Sequence, residues 1–141
     1  MSESKISNYK IPNNVTSVDY GAFNDCSNLI SITIPNDVTS IGVQAFSGCD
    51  SLTSITIPDG VKDIRDSAFF YCNNLTNVEI PDSVKRIGDF AFAFCDSLKE
   101  INFKGTKKQA ITLGIGNGSK EKWRENSAIQ KIICTDGEIL L

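Results

Sequence analysis

Five cysteines, at positions 26, 49, 72, 95 and 134, are the residues of this 141-residue chain best equipped for chemistry. A thiol can act as a nucleophile, bind zinc or pair into a disulfide. Each role needs neighbours that the sequence does not supply. There is no histidine, which removes the Ser-His-Asp and Cys-His nucleophile systems and every histidine-ligated metal site. Cysteine zinc sites use close pairs such as Cys-x-x-Cys, whereas the first four cysteines stand 23 residues apart. Carboxylate pairs are available in Asp63 with Asp66 and in Glu79 with Glu100, but acid–base work requires a cleft that holds a substrate between them. The stretch GIGNGSKEKW at 114–123 carries glycines without a GxGxxG or GKS/GKT phosphate cradle. The expectation is a non-enzymatic chain with no catalytic residue, no metal and no cofactor.

Bulk properties narrow the partner. The net charge is -3 and the pI is near 4.9, and no basic run occurs, so no nucleic-acid partner is expected. Hydrophobic residues make up 40% of the chain, enough for a core. No apolar run approaches the roughly 20 residues that span a bilayer, so membrane insertion is not expected. The opening MSESKISNYK has no apolar signal-peptide core, and residues 1–5 read as a disordered start.

The cysteine spacing belongs to a repeat. Ile-Pro recurs at 11–12, 34–35, 57–58 and 80–81, and Ala-Phe at 22–23, 45–46, 68–69 and 91–92. Leu29, Leu52, Leu75 and Leu98 keep the same interval, as do Val15, Val38, Val61 and Val84 and the aliphatics Val18, Ile41, Ile64 and Ile87. Within LTSITI, Leu52, Ile55 and Ile57 are apolar and Thr53, Ser54 and Thr56 polar, the pattern of a short strand with one buried face. Pro58 lacks a ladder donor and ends it. Val61 and Ile64 turn inward on the next short segment. The Ala-Phe-x-x-Cys block is too short for an independent helix and reads as one helical or 3₁₀ turn on the outer side.

A single unit buries too little surface to stand alone, and stacked units share one core. The expectation is an α/β solenoid with a short-stranded parallel ladder of about six rungs: Ile6–Ile11, Leu29–Ile34, Leu52–Ile57, Leu75–Ile80, Leu98–Phe103 and Ile129–Cys134. Repeats occupy 6–104 and an irregular capping unit 105–141, with Trp123 plugging the open end, Ser119 starting a short helix through Asn126, and Thr135-Asp136-Gly137-Glu138 turning into a final strand. Stacked cysteines lie about 5 Å apart at Cβ, beyond the roughly 3.8 Å of a disulfide, so a column of small buried thiols without disulfides is expected. Such a column suits a reducing compartment.

The consensus IPxxVTxIGxxAFxxCxxLTxITIP resembles the BspA-type leucine-rich repeat over about residues 6–104. The tail is similar to the ends of such proteins in Gly105-Thr106-Lys107-Lys108-Gln109, Trp123 and the closing CTDGEI. The resemblance implies a right-handed superhelix and, commonly, a protein at the surface of anaerobic bacteria or some protists that adheres to or recognises other molecules. Asp19 and Arg65 stand where the repeat usually has the glycine kept at Gly42 and Gly88.

Two surfaces are candidates for contact. The outward strand column includes Thr33, Thr56, Glu79 and Asn102, a hydroxyl and amide face that either binds a protein or glycan or is simply solvated. Its area is about 400 Å², against roughly 800 Å² per partner in a standard interface. The second lies beside the Ala-Phe pairs, where early units are polar and late units carry Phe70, Tyr71, Phe90 and Phe94. These four should cluster as a partner or homo-oligomer contact, unless residues 104–128 fold back over them.

Overall fold

The computed structural model describes residues 6–116 and 121–141. The disordered start expected at 1–5 and the cap expected at Ser119 lie outside the described residues.

Each 23-residue unit forms one coil of a parallel β-solenoid. The principal ladder runs through β1 (Asn8–Lys10), β3 (Ser31–Thr33), β5 (Ser54–Thr56), β7 (Asn77–Ile80), β9 (Glu100–Phe103) and β10 (Lys131–Cys134). Its parallel pairs keep the repeat register, with Tyr9 opposite Ile32, Ile55 opposite Val78 and Ile80 opposite Phe103. Six rungs are present, but not as one continuous sheet. Bridge pairs lapse between β3 and β5, where the Thr53 N–H still donates to the Ile30 carbonyl at 3.3 Å. The last strand, expected at Ile139–Leu141, is β11 (Gly137–Leu140), antiparallel to β10 and starting inside the expected turn. It covers the terminal edge of the ladder.

A second parallel ladder joins β2 (Ser17–Val18), β4 (Ser40–Ile41), β6 (Asp63–Ile64) and β8 (Arg86–Ile87). The sequence marks these residues only as an inward turn. A two-residue strand is too short to show alternation, so its strand character comes from the coils above and below.

The outer segments differ from the helical or 3₁₀ turn expected of them. They are turns whose N–H groups alternate in direction. Ala22, Asn24 and Cys26 donate within the coil to Asp19, Gly21 and Phe23, while Gly21, Phe23 and Asp25 donate to Val43, Ala45 and Ser47 of the next coil. A helix directs its interior donors along its own axis, leaving none to stack coils. The alternation requires left-handed backbone at two places per coil. Gly21, Gln44, Ser67 and Phe90 occupy the first and Asp25, Gly48, Tyr71 and Phe94 the second, with φ between 56° and 78°.

The core lies between the ladders and the turns. Leu29, Leu52, Leu75 and Leu98 form a single buried file. Phe23, Phe46, Phe69 and Phe92 stack ring on ring, with centroids 5.2–5.3 Å apart and planes within 4°. All four Phe and the cysteines beside them are buried. The Cys49, Cys72 and Cys95 thiols donate to the carbonyls of Phe23, Phe46 and Phe69 at 3.1–3.2 Å. Cysteine therefore does more here than fill space: its S–H gives the preceding coil's carbonyl a second donor.

The C-terminal segment imitates a further coil. Helix α1 (Lys107–Leu113) starts at a capping box in which Thr106 and Gln109 satisfy each other's backbone, and ends at Gly114, φ 97°. The only α-helix among the described residues, it buries Ala110. A 3₁₀ turn, Lys122–Arg124, places Trp123 edge-on against Phe92 at 6.1 Å and 4% exposed, the plug expected of it. The carbonyls of Lys122, Trp123 and Asn126 accept the N–H groups of Phe90, Phe92 and Phe94, closing the donor end of the turn ladder.

Candidate functional site

The strand column is assembled as its spacing implies. Thr56 stands opposite Glu79 and Glu79 opposite Asn102, while Thr33 pairs with Lys10 on the far side of the β3–β5 gap. Thr33 and Thr56 are exposed, and with Ser31, Ser54, Asn36 and Pro58 they line a shallow cleft over that gap. The later half of the face is largely self-satisfied. Lys104 pairs with Glu79 at 3.4 Å, Lys131 with Glu138 at 3.3 Å and Glu100 at 3.8 Å, and Asn102 Nδ2 donates to Asn77 Oδ1 at 3.0 Å. Exposed pairs of this kind contribute about 0.2–1 kcal/mol each.

The carboxylates singled out as acid–base pairs are engaged elsewhere. Asp63 faces Arg86 at 3.6 Å, and Asp66 accepts the Asp89 N–H. Glu79 and Glu100 each hold their own lysine. The thiols are likewise turned away from chemistry. Burial, followed by the neighbouring Cys26, pushes Cys49 up to about 12, and burial lifts Cys72 well above the ordinary thiol value. Cys26 and Cys134 are also raised, mainly by burial. Thiols held protonated at neutral pH are poor nucleophiles.

The late aromatics converge in part. Phe70 meets Tyr71 edge-on at 4.9 Å and Phe94 edge-on at 5.4 Å, and Tyr71 stacks on Phe94 at 4.7 Å. Tyr71 is 45% exposed, and Phe70 and Phe94 are partly buried. Phe90 is partly buried and makes no ring contact with the three among the described residues. It occupies the first left-handed position of its coil, Phe94 the second, and the two lie at opposite ends of one turn. Among the described residues, the capping segment runs beside this turn through Lys122, Trp123 and Asn126, and Tyr71 stays 45% exposed.

The backbone under the trio is unfavourable for its residues. Tyr71 and Phe94 have φ of 62° and 60°, a conformation costing a non-glycine residue roughly 1–2 kcal/mol. Glycine serves there freely, as Gly48 does one coil earlier. Sequence reasoning missed this strain. A clue was the mixture of Gly and Asp with Tyr and Phe down one column, since glycine and aspartate tolerate the left-handed region.

Residues 1–112 match the BspA type Leucine rich repeat region, in six copies. Among solved structures, a leucine rich cell surface protein of Faecalibacterium prausnitzii superposes with TM-score 0.70 at 29% identity, over 83% of this chain and 37% of that one. A leucine-rich repeat protein of Bacteroides ovatus gives 0.65 at 27% identity, over 91% and 37%. A leucine-rich repeat protein of Bacteroides capillosus gives 0.66 at 28%, over 74% and 81%. The chain thus spans little more than a third of the first two proteins. No curated protein matches it.

Proposed function

The chain belongs to the BspA-type leucine-rich repeat family, and from that premise we propose that it is a non-enzymatic recognition module engaging a protein or glycan partner through the aromatic end of its outer turn face. One observation carries this reading. Tyr71 and Phe94 are stacked, the former 45% exposed, on backbone where glycine would be cheaper. The left-handed backbone recurs in every coil, and it is the exposed apolar cluster set on it that marks a contact surface. The solenoid holds the rings in place before contact, which lowers the ordering cost of binding. The strand column of Thr33, Thr56, Glu79 and Asn102 is the weaker candidate, because its later half already satisfies itself. The similarity to a leucine rich cell surface protein favours a surface role.

The test is selection of a displayed peptide library and a glycan array against the whole chain, compared with Tyr71→Ala and with Thr33→Ala/Thr56→Ala. The reading expects ligands enriched on the native chain, lost with Tyr71→Ala and kept with the threonine variant. Enrichment that survives Tyr71→Ala moves recognition to another surface. A concentration-dependent dimer that dissociates on Phe94→Asp replaces it with self-assembly through the same rings.

A further inference from the structure

We infer that the outer turn face is a receptor for an arginine side chain of a basic protein segment, seated over Gly48 between the Asp25 carboxylate and the free face of the Tyr71 ring. This deepens the reading of the aromatic end as the recognition surface and rests on it.

The seat comes from one column. Asp25, Gly48, Tyr71 and Phe94 occupy the same left-handed position in four successive coils. Tyr71 gives one ring face to Phe94. Its other face looks toward the preceding coil, where that position is Gly48 and carries no side chain. The Phe70 edge fixes the Tyr71 ring from the side. One coil earlier still, Asp25 leans over Gly48, so that a side chain at 48 would collide with its Oδ1. Asp25 is exposed, and its carboxylate has neither a hydrogen bond nor an ion pair among the described residues. Two rungs separate residues 25 and 71 by roughly 10 Å of backbone. The leaning carboxylate shortens this toward the span of a guanidinium that stacks on a ring and bonds an oxygen at about 2.8 Å.

Charge selects the occupant. The four outer turns (19–27, 42–50, 65–73 and 88–96) carry six aspartates and a single basic residue, Arg65. A neutral glycan would use the ring and leave the unpaired Asp25 carboxylate idle, whereas a basic segment uses both. Arginine fits better than lysine, because its planar guanidinium stacks on an aromatic face while donating in its own plane to a carboxylate.

The probe is a fluorescein-labelled peptide of four Gly-Ser-Arg repeats. Its partners for comparison are the same peptide with citrulline, which keeps the shape without the charge, and with lysine. Anisotropy titration at low salt is expected to show the arginine peptide binding at least tenfold tighter than the citrulline peptide and more tightly than the lysine one. Asp25→Asn and Tyr71→Ala should each weaken it by about threefold or more, Tyr71→Phe should retain it, and Thr56→Ala should leave it unchanged. Circular dichroism confirms that each variant is folded. Equal binding of arginine and citrulline peptides overturns the inference, as does indifference to both Asp25→Asn and Tyr71→Ala. Should the arginine peptide fail while the selection above returns another ligand lost with Tyr71→Ala, the surface stands and the arginine seat falls. Should neither yield a ligand, both fall.

Discussion

Phe69 and Phe70 are neighbours in the chain and opposites in the molecule. Phe69 is fully buried in a file that recurs once per coil from Phe23 to Phe92. Phe70 faces outward in a group that exists only in the last two full coils, with Tyr71 and Phe94. The inner file is periodic because every coil has the same packing problem. The outer group is aperiodic, and nothing in the stacking of coils demands it; Asn24 and Ser47 serve at the position of Phe70 in earlier coils. In a repeat protein, the residues that break the period on the outside are where a role beyond folding is to be sought.

The contrast is broken most severely by exchanging burial for exposure. Phe69→Ala should cost about 3–5 kcal/mol through the cavity it opens between two stacked rings, whereas Phe70→Ala should cost about 1 kcal/mol or less. Urea titrations of the two variants against the native chain check this. Similar losses from both would make the outer group structural.

The thiol column gives the next effect, through pH. Cys49 is raised from 9.0 to about 12 in the folded protein, so its contribution is fully present below the unfolded value and declines as pH rises toward the folded one. Stability should be flat up to about pH 9 and then fall by about 1.4 kcal/mol per pH unit from Cys49 alone. Cys72, shifted in the same direction, adds to the fall. Urea midpoints between pH 8 and 11 follow it. Constant stability over that range would mean that Cys49 and Cys72 are not held protonated by burial.

Smaller effects sharpen the outer half of the comparison. Tyr71→Gly removes a side chain from left-handed backbone and should leave stability within about 1 kcal/mol of native, on the stabilising side if relief of strain outweighs the lost ring contact. Thermal midpoints show the sign. On the strand face, Glu79→Gln breaks the exposed pair with Lys104 and should cost about 0.5 kcal/mol, less at high salt.

The inner file was legible in the sequence because periodicity reports shared burial. The order of the coils, the six rungs, the Leu and Cys columns, the Trp123 plug and the closing strand all follow from the 23-residue interval or its interruption. The ladder through β2, β4, β6 and β8 was not, because two residues cannot display a strand pattern. The turns were misjudged as helical because the alternating direction of their N–H groups depends on the next coil rather than on local propensity. Helix α1 lay in view as Thr106-x-x-Gln109, a capping-box spelling read only as part of a family tail. The grouping of Phe70, Tyr71 and Phe94 followed from stacking, whereas the separation of Phe90 from them depends on which end of the turn each residue occupies. The seat over Gly48 was hidden, because it depends on Asp25 leaning across a coil boundary.

The most direct test reads fold and recognition on one variant, Tyr71→Ala, by measuring its urea midpoint and its affinity for the arginine peptide together. A midpoint close to native with binding weakened by about threefold or more is the predicted result. A midpoint lowered as far as that of Phe69→Ala, with binding retained, would contradict it.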